Sequence, residues 1–109
     1  MELIDQHRAE LNEACAGHQV DELYVFGSIL TDSFSSTSDI DFIVSISSSD
    51  PIEYAEHYFD LKFELESIFN RKIDLLEQKA IRNKIFEHLL NQKKRLVYAR
   101  RNQGVAGGY

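Results

Sequence analysis

The chain has 109 residues, with 12 Lys and Arg against 18 Asp and Glu, for a net charge of −6. Its 43% hydrophobic content, one Pro and five Gly are those of a folded domain rather than a disordered or fibrous chain. A chain this short is expected to build one core, and its acidity argues against strong nucleic-acid binding, which needs a basic face; a nucleotide held through a metal stays open.

No apolar run approaches the roughly 18–20 residues of a membrane helix. Met1-Glu2-Leu3-Ile4-Asp5 carries no apolar signal core, so a cytoplasmic location is expected. Cys15 is alone and excludes an intrachain disulfide. His7, His18, His57 and His88 are scattered, with no pair at the i,i+4 spacing of helical metal ligands.

In chain order, residues 2–16 place Leu3, Ile4, Leu11, Ala14 and Cys15 on one helical side, with Gly17 as the stop. Cys15 reads as a small packing residue. Leu23-Tyr24-Val25-Phe26 is a short β-prone run ending at Gly27-Ser28. Residues 29–38 become a Ser/Thr loop, either plain or able to close over a ligand. Residues 39–46 read as a second strand. Asp50-Pro51-Ile52-Glu53 is a helix start, with Asp50 as cap and Glu53 completing a capping box. That helix is expected to reach Phe69 with Ile52, Ala55, Phe59, Phe63 and Ile68 inward. Tyr24, Tyr54, Tyr58 and Phe59 read as packing residues. Residues 71–76 form a third strand. A last helix over 79–91 carries Ile81, Ile85, Phe86, Leu89 and Leu90 as its stripe, and 95–98 a final strand. The order predicts an α+β (α/β) fold, a small mixed sheet flanked by helices. One domain is expected over 1–99, with 100–109 as a tail.

The informative feature is Asp39-Ile40-Asp41. Alternation along a strand sends Asp39 and Asp41 to one face, and Ile40, Phe42 and Val44 to the core. Two carboxylates about 5 Å apart, at an effective dielectric near 20, repel by roughly 3 kcal/mol. A hard divalent cation such as magnesium relieves that repulsion and bridges to phosphates. In Lys72-Ile73-Asp74-Leu75-Leu76, Asp74 stands opposite the inward Ile73 and Leu75. If the two strands are neighbours, three carboxylates share a patch suited to metal binding and general-base work. Gly27 permits close backbone approach, and Ser28 with free amides can hold phosphate oxygens.

Gly27-Ser28, ten residues (29–38), then Asp39-Ile40-Asp41 resembles the signature of the DNA polymerase β-like nucleotidyltransferase superfamily. At average residue frequencies the four fixed positions coincide in a chain this size about once in a thousand. The size narrows the resemblance to the minimal nucleotidyltransferases, often paired with a HEPN-domain protein in toxin–antitoxin modules. It spans Leu23 to about Tyr98. The resemblance implies a nucleotidyltransferase-like fold, nucleotide gripping by Gly27 and Ser28, and Mg2+ held by Asp39, Asp41 and Asp74. It makes these three Asp the catalytic set, with Asp74 also accepting the proton of the attacking hydroxyl. It implies transfer of a nucleoside monophosphate, AMP from ATP, to a hydroxyl on a HEPN-type partner. The rival reading is a non-catalytic antitoxin with a degenerate nucleotide site. A homo-oligomer stays open, as a source of the rest of the cleft.

One departure stands out. Many minimal nucleotidyltransferases carry Arg shortly after Gly-Ser, whereas this chain has Ile29-Leu30-Thr31-Asp32. Lys62, Arg71, Lys72 and Arg82 are the cations left to substitute. The basic residues Lys93, Lys94, Arg95, Arg100 and Arg101 read as a solvated helix end, with an acidic partner or RNA as the alternative.

Overall fold

The computed structural model describes residues 1–100. The sheet has the order β3-β2-β1-β4, built from β1 (Val20–Phe26), β2 (Ile40–Ile46), β3 (Ile73–Glu77) and β4 (Arg95–Ala99). β1 pairs antiparallel with β2 and β4, and β2 pairs parallel with β3. A parallel pair needs a crossover, and α3 (Pro51–Phe69) supplies it. The sheet is therefore mixed and the fold α+β, as the sequence implies.

One sheet face carries the core. Ile40, Phe42, Val44, Ile73, Leu23, Val25 and Val97 are buried there, in one cluster with Ile4, Leu11, Cys15, Leu61, Leu65 and Phe69. These last come from α1 (Glu2–Gln6), α2 (Arg8–Gly17) and α3. Cys15 is fully buried, and burial, then the charge of Glu64, pushes its thiol up to about 12, so it is an inert packing residue.

The helix expected over 2–16 is broken at His7, whose backbone leaves the helical region (φ −116°, ψ 23°). The His7 ring sits edge-on to Phe69 at 5.3 Å, and the Arg8 Nη1 donates to the Val97 carbonyl. These tertiary contacts fix the break. Gly17 ends α2 from inside the helix, and the left-handed turn residue is Gln19 (φ 57°).

Helix α3 starts as predicted, with Asp50 accepting the Ile52 N–H at 3.1 Å and Pro51 in the first turn. The capping box does not form, because Glu53 accepts from Gln19 Nε2 at 3.3 Å instead. The expected inward face is also corrected. Ile52 is 72% exposed, Phe59 52% and Phe63 60%, and Ala55 is exposed too. Ile68 packs against the core as expected, and Tyr54, Tyr58, Leu61, Leu65 and Phe69 face the sheet with it. The tyrosines decide the rotation: Tyr54 donates to Glu77 Oε2 at 2.6 Å and Tyr58 to the Leu75 carbonyl at 2.5 Å. Each buries its ring while its hydroxyl satisfies the β3 edge.

The last helix, α4 (Lys84–Lys93), begins later than expected, with Asn83 accepting the Phe86 N–H at 2.9 Å. A short 3-10 turn (Gln78–Ala80) precedes it. Of the predicted stripe only Leu90 is buried, whereas Ile85, Phe86 and Leu89 are exposed and Ile81 is half-buried. Periodicity finds an apolar stripe without saying what covers it. Among the described residues, no helix is long and apolar enough to cross a membrane. Of the expected tail, Arg100 faces Asp21 at 3.6 Å, and 101–109 lie outside the described residues.

Candidate active site

The face opposite the core carries the carboxylates. Across the sheet, Phe26 pairs with Asp41 and Asp41 with Asp74. Directly paired residues share a face, so Asp41 and Asp74 stand side by side, as expected if their strands are neighbours. Asp39 lies just before β2 rather than in it, and Ile40 N–H bonds the Lys72 carbonyl at 3.2 Å. The core-facing half of the alternation holds, with Ile40, Phe42 and Val44 fully buried. Ile43, on the Asp41 side, is buried as well, between Asp41 and the half-buried Ser45.

Asp41 titrates above the ordinary carboxylate range. Its carboxyl is pushed up to about 6, first by burial, then by a hydrogen bond with the Asp74 carboxyl, then by the charges of Asp74 and Asp39. The carboxyls of Asp41 and Asp74 are thus crowded together, and the charge of Asp39 adds to the repulsion. Lys72 Nζ stands 3.9 Å from Asp39 Oδ2, partly balancing the charge.

Gly27 explains how the turn fits over this group. Its φ is +76°, and a Cβ there would fall well inside 3.0 Å of Asp41 Oδ2. Glycine is required twice, by the left-handed backbone and by the close approach to a carboxylate. Gly27-Ser28-Ile29-Leu30 form a 3-10 turn at the end of β1. The Ser28 carbonyl accepts the Thr31 N–H at 2.9 Å and the Thr31 hydroxyl at 2.8 Å. Gly27 is thus placed against Asp41, and Ser28 follows it in the turn.

The donor set is three hard oxygen ligands, which suits a magnesium-class ion. Among the described residues, no three His, Cys, Asp or Glu side chains already converge at metal-binding distances. Asp41 and Asp74 are paired, and Asp39 must turn from Lys72 to join them.

The four substitute cations separate clearly. Arg71 Nη1 donates to the Ser35 carbonyl at 3.0 Å and the Ser38 carbonyl at 2.9 Å, with its guanidinium 4.8 Å from the centre of the Phe34 ring. It is a clamp on the loop that leads into Asp39, a role its charge alone did not reveal. The Ser/Thr loop is further tied by its own bonds, including Ser35 N–H to Ser38 Oγ at 3.0 Å. Lys62 lies on α3, in the layer behind the sheet, and Arg82 lines a groove beside Tyr58 and Phe86. Lys72 alone of the four is placed beside a carboxylate of the group. In the basic C-terminal region, Lys94 Nζ lies 4.1 Å from the centre of the Tyr24 ring.

Comparison with known proteins places the chain in a family. The family model described as "Polymerase beta, Nucleotidyltransferase" matches residues 9–103. The chain belongs to that family. No curated protein matches the sequence. Among solved structures, it is similar to a toxin–antitoxin with AMP-PNP, at 16% identity and a TM-score of 0.65, over 88% of this chain and 76% of that one. A chain described as a minimal nucleotidyltransferase is 20% identical with a TM-score of 0.67, over 86% and 92% of the two chains. A tri-AMPylated Shewanella oneidensis HEPN toxin in complex with its MNT antitoxin gives 14% identity and a TM-score of 0.60, over 94% and 77%. At these identities the likeness establishes a shared fold.

Proposed function

We propose that this chain is a magnesium-dependent nucleotidyltransferase that moves AMP from ATP to a hydroxyl of a HEPN-type partner in a toxin–antitoxin pair, with residues 1–99 as the catalytic unit. The observation that carries this reading is the crowding of Asp41 against Asp74 beneath a glycine with no room for a side chain. Folding alone disfavours such crowding, so it marks a site with a task. Family membership and the nucleotide and AMPylated toxin named for similar structures support the same chemistry.

Asp39, Asp41 and Asp74 would hold the ion, which when bound neutralises phosphate charge. The Gly27 and Ser28 amides and the Ser28 hydroxyl grip phosphate oxygens. An Asp74 carboxylate oxygen takes the proton of the acceptor hydroxyl. The acceptor's hydroxyl oxygen, freed of its proton, attacks the α-phosphorus, the bond from that phosphorus to the bridging oxygen breaks, and pyrophosphate leaves. Positioning and charge placement carry the reaction, with no covalent protein intermediate.

One observation favours the rival reading of a binding antitoxin. Ile29-Leu30-Thr31-Asp32 offers no cation, and Arg71 is committed to the loop. The deciding experiment adds α-labelled ATP and magnesium to the chain with its co-purified HEPN-type partner, beside the Asp39→Asn, Asp41→Asn double variant. Label on the partner with wild type only supports the enzyme. No label from any of the four nucleotides, on a partner the chain demonstrably binds, refutes it in favour of the antitoxin.

A further inference from the structure

A second polar cluster lies on the helical layer, away from the carboxylate face. His18 caps the end of α2 and His57 stands in α3, 39 positions later. Their Nδ1 atoms face each other at 3.2 Å. The far nitrogens each look at a carboxylate: His18 Nε2 is 3.1 Å from Glu64 Oε2, and His57 Nε2 is 3.8 Å from Glu53 Oε1. Glu53 is itself held by Gln19 Nε2 at 3.3 Å.

A carboxylate on Nε2 favours the tautomer with its proton there, as in the outer shell of metal-binding histidines. Both Nδ1 lone pairs then converge. Without a cation, one Nδ1 must carry a proton for the other. His57 suits that role better, because a bare His18 Nε2 would meet Glu64 at 3.1 Å. Two nitrogens bound at ~2.0–2.1 Å to a tetrahedral zinc stand about 3.3–3.4 Å apart. The observed separation is therefore close to a zinc bite. Side-chain exposures of 15% and 19% leave access to solvent. A groove of about 550 Å³, lined in part by Glu10, Glu13 and Glu64, opens on His18 and gives a cation an acidic entry path.

We infer that His18 and His57 form a two-histidine site for a zinc-class divalent ion, bound through both Nδ1 atoms and completed by solvent, which ties the end of α2 to α3. Imidazole selects such borderline metals over magnesium. The site shares no residue with the carboxylate group.

The test is zinc binding to the full chain in millimolar magnesium, measured by titration calorimetry. Wild type is compared with His18→Gln, His57→Gln and with Asp39→Asn, Asp41→Asn, Asp74→Asn. The aspartate variant should keep one zinc, and the histidine variant should bind that zinc at least tenfold more weakly. Equal binding by the histidine variant, loss of all zinc from the aspartate variant, or no zinc bound by wild type at 100-micromolar concentration (about the useful range for two imidazoles) overturns the inference. If the histidine variant fails to fold, ring 15N spectra of wild type decide. With zinc, two histidines should show a metal-bound Nδ1 and a protonated Nε2; a metal-bound Nε2, or a response from His7 or His88, overturns the site.

Discussion

Asp41→Asn is the sharpest perturbation of the candidate active site. The wild-type carboxyl rises from 3.8 to about 6 on folding. The folded state therefore holds this proton more tightly than the unfolded chain does. The group's contribution to stability is most favourable below pH 3.8 and is lost as pH rises through about 6. A shift of about two units corresponds to a ceiling of ~3 kcal/mol. The carboxyl is half open to solvent, and screening reduces the figure to about 1 kcal/mol. Asparagine keeps the shape, carries no charge and can donate an N–H to Asp74. In metal-free buffer at pH 8 the variant should melt ~4–8 °C higher than wild type, as expected for about 1 kcal/mol in a chain of this size. Below pH 3.8 the two melting points should converge. Nucleotidyl transfer by the variant should fall by at least about 100-fold. Thermal melts across pH, with the labelled-ATP assay alongside, read both effects. A variant no more stable than wild type at pH 8, or a gap that persists undiminished below pH 3.8, would refute the crowding of Asp41 by Asp74 and Asp39.

Gly27→Ala should cost about 1–2 kcal/mol from the left-handed backbone; its Cβ also displaces Asp41, so denaturant melts and transfer assays should both register a loss. Arg71→Ala removes both bonds to the Ser35 and Ser38 carbonyls and should destabilise by about 1–2 kcal/mol. Hydrogen exchange should accelerate most in residues 31–38, and unchanged exchange there would remove the clamp role. Leu65→Ala should cost about 2–5 kcal/mol, against less than about 0.5 kcal/mol for Phe63→Ser. Urea midpoints that reverse this order would return α3 to the rotation its sequence suggested.

The strand with its acidic pair, the Gly-Ser turn before it and the third Asp were all legible from residue order. Their spacing reflects local geometry: period-two alternation, a glycine turn and a parallel crossover through one helix. Helix existence was legible too, through Asp50, Pro51 and the apolar repeats. Which side of α3 faces inward was not, because Ile52, Phe59 and Phe63 repeat as regularly as Tyr54, Tyr58, Leu61 and Leu65. Hydrophobicity alone cannot rank two such faces; hydroxyl bonds to Glu77 and Leu75 can. The stripe of α4 was real in the sequence, yet only Leu90 found cover.

Residue order by itself picked out the candidate positions Gly27, Ser28, Asp39, Asp41 and Asp74, because each is recognised by its neighbours along one strand or turn. Tertiary structure alone decided what those residues meet. It set Asp41 beside Asp74, placed Gly27 against Asp41 and gave Arg71 to the loop. It also brought His18 to His57, a pair that local spacing had ruled out as helical ligands. Contacts between distant segments are fixed by how the faces of separate elements pack, and no periodicity within one element encodes that.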